Sequence, residues 1–174
     1  MNKGIFLDRD GVINIDNGYT HLIQDFKFRR NIFDLCKHLK ELGYKIFIVT
    51  NQSGIGRKFF SVDNFILLTN WMLSVFDENG IEINDVSYCP HTPDDNCKCR
   101  KPGTKLITNI LEKYKINPDL SWLIGDKFSD IEAGKNSGIS NTILLESKYT
   151  NRESNVKPAH FVKSLNQIIE IIKV

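Results

Sequence analysis

Four clusters of polar residues follow short apolar runs along this chain, and their residue types are those that phosphoryl transfer needs. The first cluster, Asp8-Arg9-Asp10-Gly11, directly follows the apolar residues 4–7. The other three are Thr50-Asn51-Gln52-Ser53-Gly54, Arg100-Lys101-Pro102 and Gly125-Asp126-Lys127-Phe128-Ser129-Asp130. Any one of them alone is compatible with an ordinary turn or a helix cap. Four in succession, each after a predicted strand, indicate a shared site.

The first cluster places two carboxylates one residue apart, at Asp8 and Asp10. Both can point into one site where the chain leaves a strand, so that one attacks phosphorus while the other transfers protons. A third carboxylate helps to hold Mg²⁺, a hard cation that prefers oxygen ligands and shields the nucleophile from the anionic phosphate. A hydroxyl, backbone N–H groups and a lysine then neutralise charge on the transferring phosphoryl group.

A second set of candidate ligands lies between residues 89 and 99. Cys89, His91, Cys97 and Cys99 offer three thiolates and one imidazole within a short irregular loop. Four soft or borderline ligands suit a closed tetrahedral shell, which indicates structural rather than catalytic zinc. Such a zinc would order the loop and the cluster at 100–102. The fourth cysteine, Cys36, lies on the apolar face of a predicted helix and is assigned to the core.

The elements that must position these residues alternate between strands and helices. Strands are predicted at residues 4–7, 45–49, 85–88, 121–124 and 141–145. Helices are predicted from residue 32 to a stop at Gly43, from an N-cap at Ser61 to the Asn79-Gly80 stop, and over 105–114, 129–137 and 165–172. This alternation predicts an α/β fold with a mostly parallel central sheet and helices on both faces. In such sheets, ligands bind at the carboxyl ends of the strands.

Composition narrows the class of protein. The 174 residues fit one domain, 1–174, and the formal net charge of +2 argues against a nucleic-acid-binding protein. No run approaches the roughly 20 apolar residues that span a bilayer, and the N-terminal residues lack the apolar region of a signal peptide. We therefore expect a cytoplasmic protein that binds neither nucleic acid nor membrane, with a monomer as the default.

The four clusters resemble the motifs of the haloacid dehalogenase superfamily of phosphatases. The resemblance implies a Rossmann-like three-layer sandwich in which Asp8 is the nucleophile and Asp10 the general acid and then the base. It implies that Thr50 and Lys101 stabilise the phosphoryl group, and that Asp8, Asp126 and the backbone carbonyl of Asp10 bind Mg²⁺. Asp130 would orient Lys101 or a metal-bound water.

The cysteine loop followed by Arg100-Lys101-Pro102 resembles one branch of that superfamily, which lacks a large cap domain. The branch contains the D-glycero-D-manno-heptose 1,7-bisphosphate 7-phosphatases, which supply precursors of surface polysaccharides such as lipopolysaccharide, and the histidinol-phosphate phosphatases. Residues 14–21 are more similar to the heptose enzymes, and this implies a phosphorylated sugar as substrate. The implied sugar contacts are Asp16, Asn17, Gly18, Tyr19, Thr50, Asn51, Gln52 and Ser53, with Arg100 and Lys127 as candidates for the remote phosphate.

Two alternatives stay open at this point. Histidinol phosphate is the alternative substrate within the branch. A signalling receiver domain also gathers aspartates, a threonine and a lysine at strand ends, but it has an adjacent acidic pair after the first strand and a phosphorylated aspartate after the third. Here the third strand leads into Cys89 instead, which disfavours that reading.

Overall fold

Six parallel strands form one central sheet in this protein, whose computed structural model describes residues 2–151 and 153–173. The strands are β1 (Gly4–Leu7), β2 (Lys45–Asn51), β3 (Asp85–Cys89), β4 (Trp122–Gly125), β5 (Asn141–Leu145) and β6 (His160–Val162). Their spatial order is β3-β2-β1-β4-β5-β6, and every neighbouring pair is parallel. The predicted α/β class is confirmed, and the sheet is wholly parallel over the part of the chain described.

Six α-helices connect or flank these strands in the described part of the chain. They are α1 (Ile32–Glu41), α2 (Ser53–Gly56), α3 (Val62–Glu78), α4 (Lys105–Tyr114), α5 (Phe128–Asn136) and α6 (Leu165–Ile171). Ser61 caps α3 as predicted, because its hydroxyl accepts the Asn64 N–H while the Asn64 side chain accepts the Ser61 N–H. No helix within the described ranges is long and apolar enough to cross a membrane.

The helices cover both faces of the sheet, and successive strand residues alternate between two apolar cores. On β1, Ile5 and Leu7 belong to the core beneath α1, α3 and α6, whereas Phe6 belongs to the core beneath α4 and α5. All three side chains are fully buried. Because side chains alternate across a strand, near-continuous apolar runs are what a sheet covered on both faces requires. The three-layer sandwich is thereby confirmed.

Besides one-residue shifts at the ends of β3, β4, α5 and α6, three differences from the prediction concern β2, α2 and β6. Thr50 and Asn51, expected beyond the second strand, are its last two residues, because they continue the ladder with Tyr88 and Cys89 of β3. The four-residue α2 begins directly afterwards, at Ser53. The short strand β6 was not predicted; it is held by pairing with β5, a tertiary contact that local sequence does not encode.

The strand order explains where a site can form. From β1 the chain crosses to β2 on one side, whereas β4 lies against β1 on the other side. The strands β1 to β3 and the strands β4 to β6 therefore extend in opposite directions from the middle of the sheet. A crevice opens between the carboxyl ends of β1 and β4. Asp8 follows β1 and Asp126 follows β4, so both lie at this crevice. Only loops and a single 3-10 turn separate β1 from α1, as expected for a chain without a large cap domain.

Candidate active site

The ammonium group of Lys101 joins two buried carboxylates. Its Nζ lies 2.8 Å from Asp8 Oδ1 and 2.7 Å from Asp130 Oδ1, and it also donates to the Val49 carbonyl at 2.7 Å. All three charged side chains are almost completely buried. An ammonium has three donors, so these three acceptors use its full capacity and fix its position beside Asp8.

Asn51 holds the backbone of Lys101 in place. Its side-chain oxygen accepts the Lys101 N–H at 3.0 Å, and its amide nitrogen donates to the Lys101 carbonyl at 3.1 Å. The end of β2 thereby fixes the loop that carries the lysine. Asn51 thus supports Lys101 as well as lining the pocket.

The Asp10 carboxylate is surrounded by donors. Arg9 contacts it through Nε at 3.1 Å and Nη2 at 3.0 Å, and Asn14 donates to it at 3.1 Å. Gln52 Nε2 donates to both Asp10 Oδ2, at 3.0 Å, and Thr50 Oγ1, at 2.8 Å. Gln52 therefore couples the predicted proton-transfer group to the predicted phosphoryl-binding hydroxyl.

Asp126 differs from the other carboxylates because it is fully buried and neither oxygen has a hydrogen-bond partner within residues 2–151 and 153–173. The nearest ammonium, Lys127 Nζ, lies 3.8 Å from Oδ1. A Cβ at position 11 would lie 2.3 Å from Asp126 Oδ2, so Gly11, with its φ of +100°, leaves room for this carboxylate. A buried carboxylate without partners is the expected ligand of a cation.

The ligand set suits Mg²⁺. Carboxylate oxygens of Asp8, Asp126 and Asp130 lie within 4.8 Å of one another. Asp130 is already engaged, because it binds Lys101 and accepts the Lys127 N–H at 3.0 Å. Asp126 and the second oxygen of Asp8, whose Oδ1 binds Lys101, are therefore the carboxylate oxygens available to a hard cation, in keeping with the predicted ligands. The predicted contribution of the Asp10 carbonyl stays a prediction.

Burial and repulsion between carboxylates raise the pKa values of Asp8 and Asp126. Burial raises the pKa of Asp8 to about 6 against the attraction of Lys101. Burial, reinforced by the Asp8 carboxylate, raises the pKa of Asp126 to about 8. Burial alone would lower the pKa of Lys101, but Asp130 and Asp8 raise it. Without a cation, the negative charge of the neighbouring buried carboxylates is not fully compensated. A divalent ion would offset this charge.

A cavity of about 370 Å³ extends outward from this cluster. Most of the predicted site residues line it, namely Asp8, Asp10, Asp16, Gly18, Tyr19, Asn51, Gln52, Ser53, Arg100, Lys101 and Lys127. Three others lie elsewhere. Thr50 is buried behind Gln52, Asp126 borders an adjoining cavity of about 180 Å³, and Asn17 faces a neighbouring depression with Thr20 and His21.

The four predicted zinc ligands form a compact group beside the cavity. The Sγ atoms of Cys89 and Cys99 lie 2.9 Å apart, and His91 Nδ1 lies 3.2 Å from Cys99 Sγ and 3.4 Å from Cys89 Sγ. Cys97 Sγ lies 3.5 Å from Cys89 Sγ. Ligands of a tetrahedral zinc with 2.3 Å bonds to sulfur are about 3.7 Å apart, so modest expansion would admit the ion. The donor chemistry and arrangement fit zinc.

Arg100 connects this group to the cavity. Its backbone N–H donates to Cys97 Sγ at 3.4 Å, and its guanidinium donates to the His91 carbonyl at 3.3 Å while lining the cavity. Arg100 can therefore pack over the cysteine loop and also face an anionic ligand in the cavity, the role predicted from the resemblance.

Several residues that contribute to the site were not predicted, among them Arg9 and Tyr149. Arg9 is 1% exposed and fixes Asp10, although its place between the two aspartates was a usable signal. Tyr149 also lines the cavity and donates to Asp16 Oδ2 at 2.8 Å. No pattern marked Tyr149, because its contact spans 133 positions of sequence.

Comparisons with known proteins agree with this geometry. Residues 98–168 match the family model described as HAD-hydrolase-like. A D-glycero-beta-D-manno-heptose-1,7-bisphosphate 7-phosphatase of Helicobacter pylori strain 26695 is 46% identical over 145 residues, which is 83% of this chain and 84% of the relative. A D-glycero-alpha-D-manno-heptose-1,7-bisphosphate 7-phosphatase of Photorhabdus laumondii is 40% identical and covers 87% of this chain and 86% of its own.

A solved structure shares the fold. The D,D-heptose 1,7-bisphosphate phosphatase from B. bronchiseptica, crystallised with magnesium and phosphate, superimposes with a TM-score of 0.87. It covers 98% of this chain and 97% of its own, at 24% sequence identity. The likeness to this structure concerns the fold, whereas the relatives above establish the family.

Proposed function

Because this chain belongs to the heptose-1,7-bisphosphate 7-phosphatase family of haloacid dehalogenase-like hydrolases, we propose that it removes the 7-phosphate of D-glycero-D-manno-heptose 1,7-bisphosphate. The observation that carries the proposal is the pairing of two chemical environments in one cavity. Asp8 and Lys101 line this cavity together with the cations Arg100 and Lys127. Asp126, which has no hydrogen-bond partner among the described residues, borders the adjoining cavity. A bisphosphate needs both a reacting end and a remote anion site.

In the proposed mechanism, Asp8 attacks the phosphorus of the 7-phosphate and the bond to the sugar oxygen breaks. Asp10 donates a proton to the leaving oxygen, and phosphate becomes bound to the Asp8 carboxylate. Asp10 then removes a proton from water, which attacks phosphorus, releases inorganic phosphate and regenerates Asp8. Mg²⁺, held by Asp8 and Asp126, would supply charge neutralisation for the phosphoryl oxygens.

The supporting residues have distinct tasks in this scheme. Lys101 neutralises charge beside the nucleophile and is itself fixed by Asp130. Gln52 and Arg9 hold Asp10 in the orientation that proton transfer requires. We propose that zinc on the cysteine loop has a structural role, since four protein ligands leave no coordination position for water.

The test is phosphate release, with Mg²⁺ present, from the α and β anomers of the heptose bisphosphate and from histidinol phosphate. We expect one heptose anomer to be preferred by orders of magnitude in kcat/KM, and phosphorus NMR should show a product that retains the 1-phosphate. Asp8→Asn serves as the inactive control. A preference for histidinol phosphate would overturn the proposed substrate while leaving the phosphatase chemistry in place.

A further inference from the structure

The loop that follows β5 is tied to the metal side of the site. The Ser147 hydroxyl donates to the Asp126 carbonyl at 2.8 Å, and the Tyr149 N–H donates to the Ser147 oxygen at 3.1 Å. The Thr150 hydroxyl closes the turn by donating to the Ser147 carbonyl at 2.8 Å. This turn anchors Tyr149 at the edge of the cavity.

Tyr149 contacts two groups that line the cavity. Its hydroxyl donates to Asp16 Oδ2 at 2.8 Å, and its ring centroid lies 4.5 Å from Lys127 Nζ. The other Asp16 oxygen accepts the Gly18 N–H at 2.9 Å. Both oxygens of this carboxylate are therefore held by hydrogen bonds, one of them from Tyr149. The aromatic face holds the ammonium by a cation–π interaction.

These contacts surround a long ion pair between Lys127 and Asp16. Lys127 Nζ lies 3.8 Å from Asp16 Oδ2, which is beyond hydrogen-bond distance. Without the tyrosine hydroxyl, that oxygen would be free to accept a hydrogen bond from Lys127 and to shorten the ion pair. A lysine paired in this way would be less available to an anionic ligand, because the carboxylate would compete for its charge.

We propose that Tyr149 is a positioning residue that sets specificity for a doubly phosphorylated substrate by holding Asp16 and keeping Lys127 available. The inference rests on the proposed function, since it concerns the part of the substrate remote from the transferring phosphate. Tyr149 takes no part in the phosphoryl chemistry, which occurs at Asp8.

The experiment compares Tyr149→Phe with Tyr114→Phe. Tyr114 is a matched control because its hydroxyl also donates to an aspartate, Asp85 Oδ2 at 3.1 Å, but at the opposite, amino end of the sheet. Steady-state kinetics are measured with the heptose 1,7-bisphosphate and with the heptose 7-phosphate, which lacks the remote phosphate. Thermal melts establish that both variants are folded.

For Tyr149→Phe we expect KM for the bisphosphate to rise about tenfold, the effect of losing one hydrogen bond to a charged group. The kcat should stay within about twofold, since the nucleophile is untouched. The preference for bisphosphate over monophosphate should fall by a similar factor, and Tyr114→Phe should change neither quantity. Tyr149→Leu, which also removes the cation–π contact, should show the same change in KM or a larger one.

The possible failures are separable. If the wild-type enzyme does not prefer the bisphosphate, the proposed function is overturned, whatever the variants do. If the wild type shows the preference and Tyr149→Phe retains it in full, the positioning role is overturned. A loss of kcat at unchanged KM would also overturn it, because that result would place Tyr149 in the chemical step.

Discussion

Replacing Asp126 by asparagine should stabilise the Mg²⁺-free protein while removing its response to Mg²⁺. Asp126 is fully buried, and in the part of the chain that the structure describes neither of its oxygens has a hydrogen-bond partner. Burial and the neighbouring Asp8 raise its pKa to about 8. In the absence of a cation, the folded protein must therefore hold this carboxyl protonated at neutral pH, although the unfolded chain would ionise it.

The magnitude follows from proton linkage. Each tenfold change in proton affinity corresponds to about 1.4 kcal/mol. Since pH 7 lies about three units above the ordinary carboxyl pKa, keeping Asp126 protonated destabilises the folded protein by on the order of 4 kcal/mol. Asparagine avoids that cost, but a buried amide with unsatisfied groups costs about 1–3 kcal/mol. The net gain is about 2 kcal/mol, which corresponds to a rise in Tm of about 5 °C for a chain of this size.

The assay is thermal unfolding at pH 7 in Mg²⁺-free buffer without a chelator, so that zinc stays bound, repeated with Mg²⁺ added. Mg²⁺ at about 100 times its Kd should stabilise the wild type by about 2.7 kcal/mol and leave Asp126→Asn unchanged. Because the folded pKa lies above the unfolded one, the penalty vanishes below about pH 4 and grows as the pH rises towards 8. The stability gap between variant and wild type should therefore widen from pH 5 to pH 8.

Asp130→Asn is the matched control for this prediction. It makes the same substitution at a buried carboxylate that is paired, with Lys101 Nζ at 2.7 Å. Removing that charge should destabilise the protein by about 3–5 kcal/mol, since Lys101 keeps Asp8 as its one carboxylate partner. The reasoning is refuted if Asp126→Asn is also less stable than the wild type without Mg²⁺, or if Mg²⁺ raises its Tm as much as that of the wild type.

Three further predictions concern the remaining parts of the site. Asp8→Asn should abolish steady-state turnover, and Asp10→Asn should lower kcat by about 10²–10⁴ with an unchanged circular dichroism spectrum. Near-normal activity of either variant would contradict the covalent scheme. Cys97→Ser should lower the zinc content measured by mass spectrometry from about one ion per chain to near zero, and it should lower the Tm. The control Cys36→Ala should keep the ion. If Cys97→Ser were free of zinc but as stable as the wild type, the structural role would be refuted. Gly11→Ala should raise the Mg²⁺ concentration needed for half-maximal activity by at least about tenfold, because the new Cβ would lie 2.3 Å from the Asp126 carboxylate. An unaltered Mg²⁺ titration would contradict the claim that Gly11 leaves room for Asp126.

Most elements of the fold could be predicted from local sequence signals. The apolar run at Gly4–Leu7 predicts a strand, and the Ser61 cap marks where α3 begins. The predictions failed where pairing between strands decides the outcome. Thr50 belongs to β2 only because Tyr88 lies beside it, and β6 exists because it pairs with β5. Such contacts join distant segments and leave no local periodicity.

The sequence by itself determined which residue types follow each strand, and therefore the class of chemistry and the donor sets for two metals. Parallel strands bring their carboxyl ends together, so Asp8, Lys101 and Asp126 were expected at one edge before any coordinates were known. Their separate roles were decided only by the tertiary structure. Lys101 pairs with Asp130, Asp126 has no hydrogen-bond partner among the described residues, and Tyr149 contacts Asp16 across 133 positions of sequence. Charge balance and hydrogen-bond satisfaction depend on distances of a few ångströms between segments far apart in sequence, and only the folded chain sets those distances.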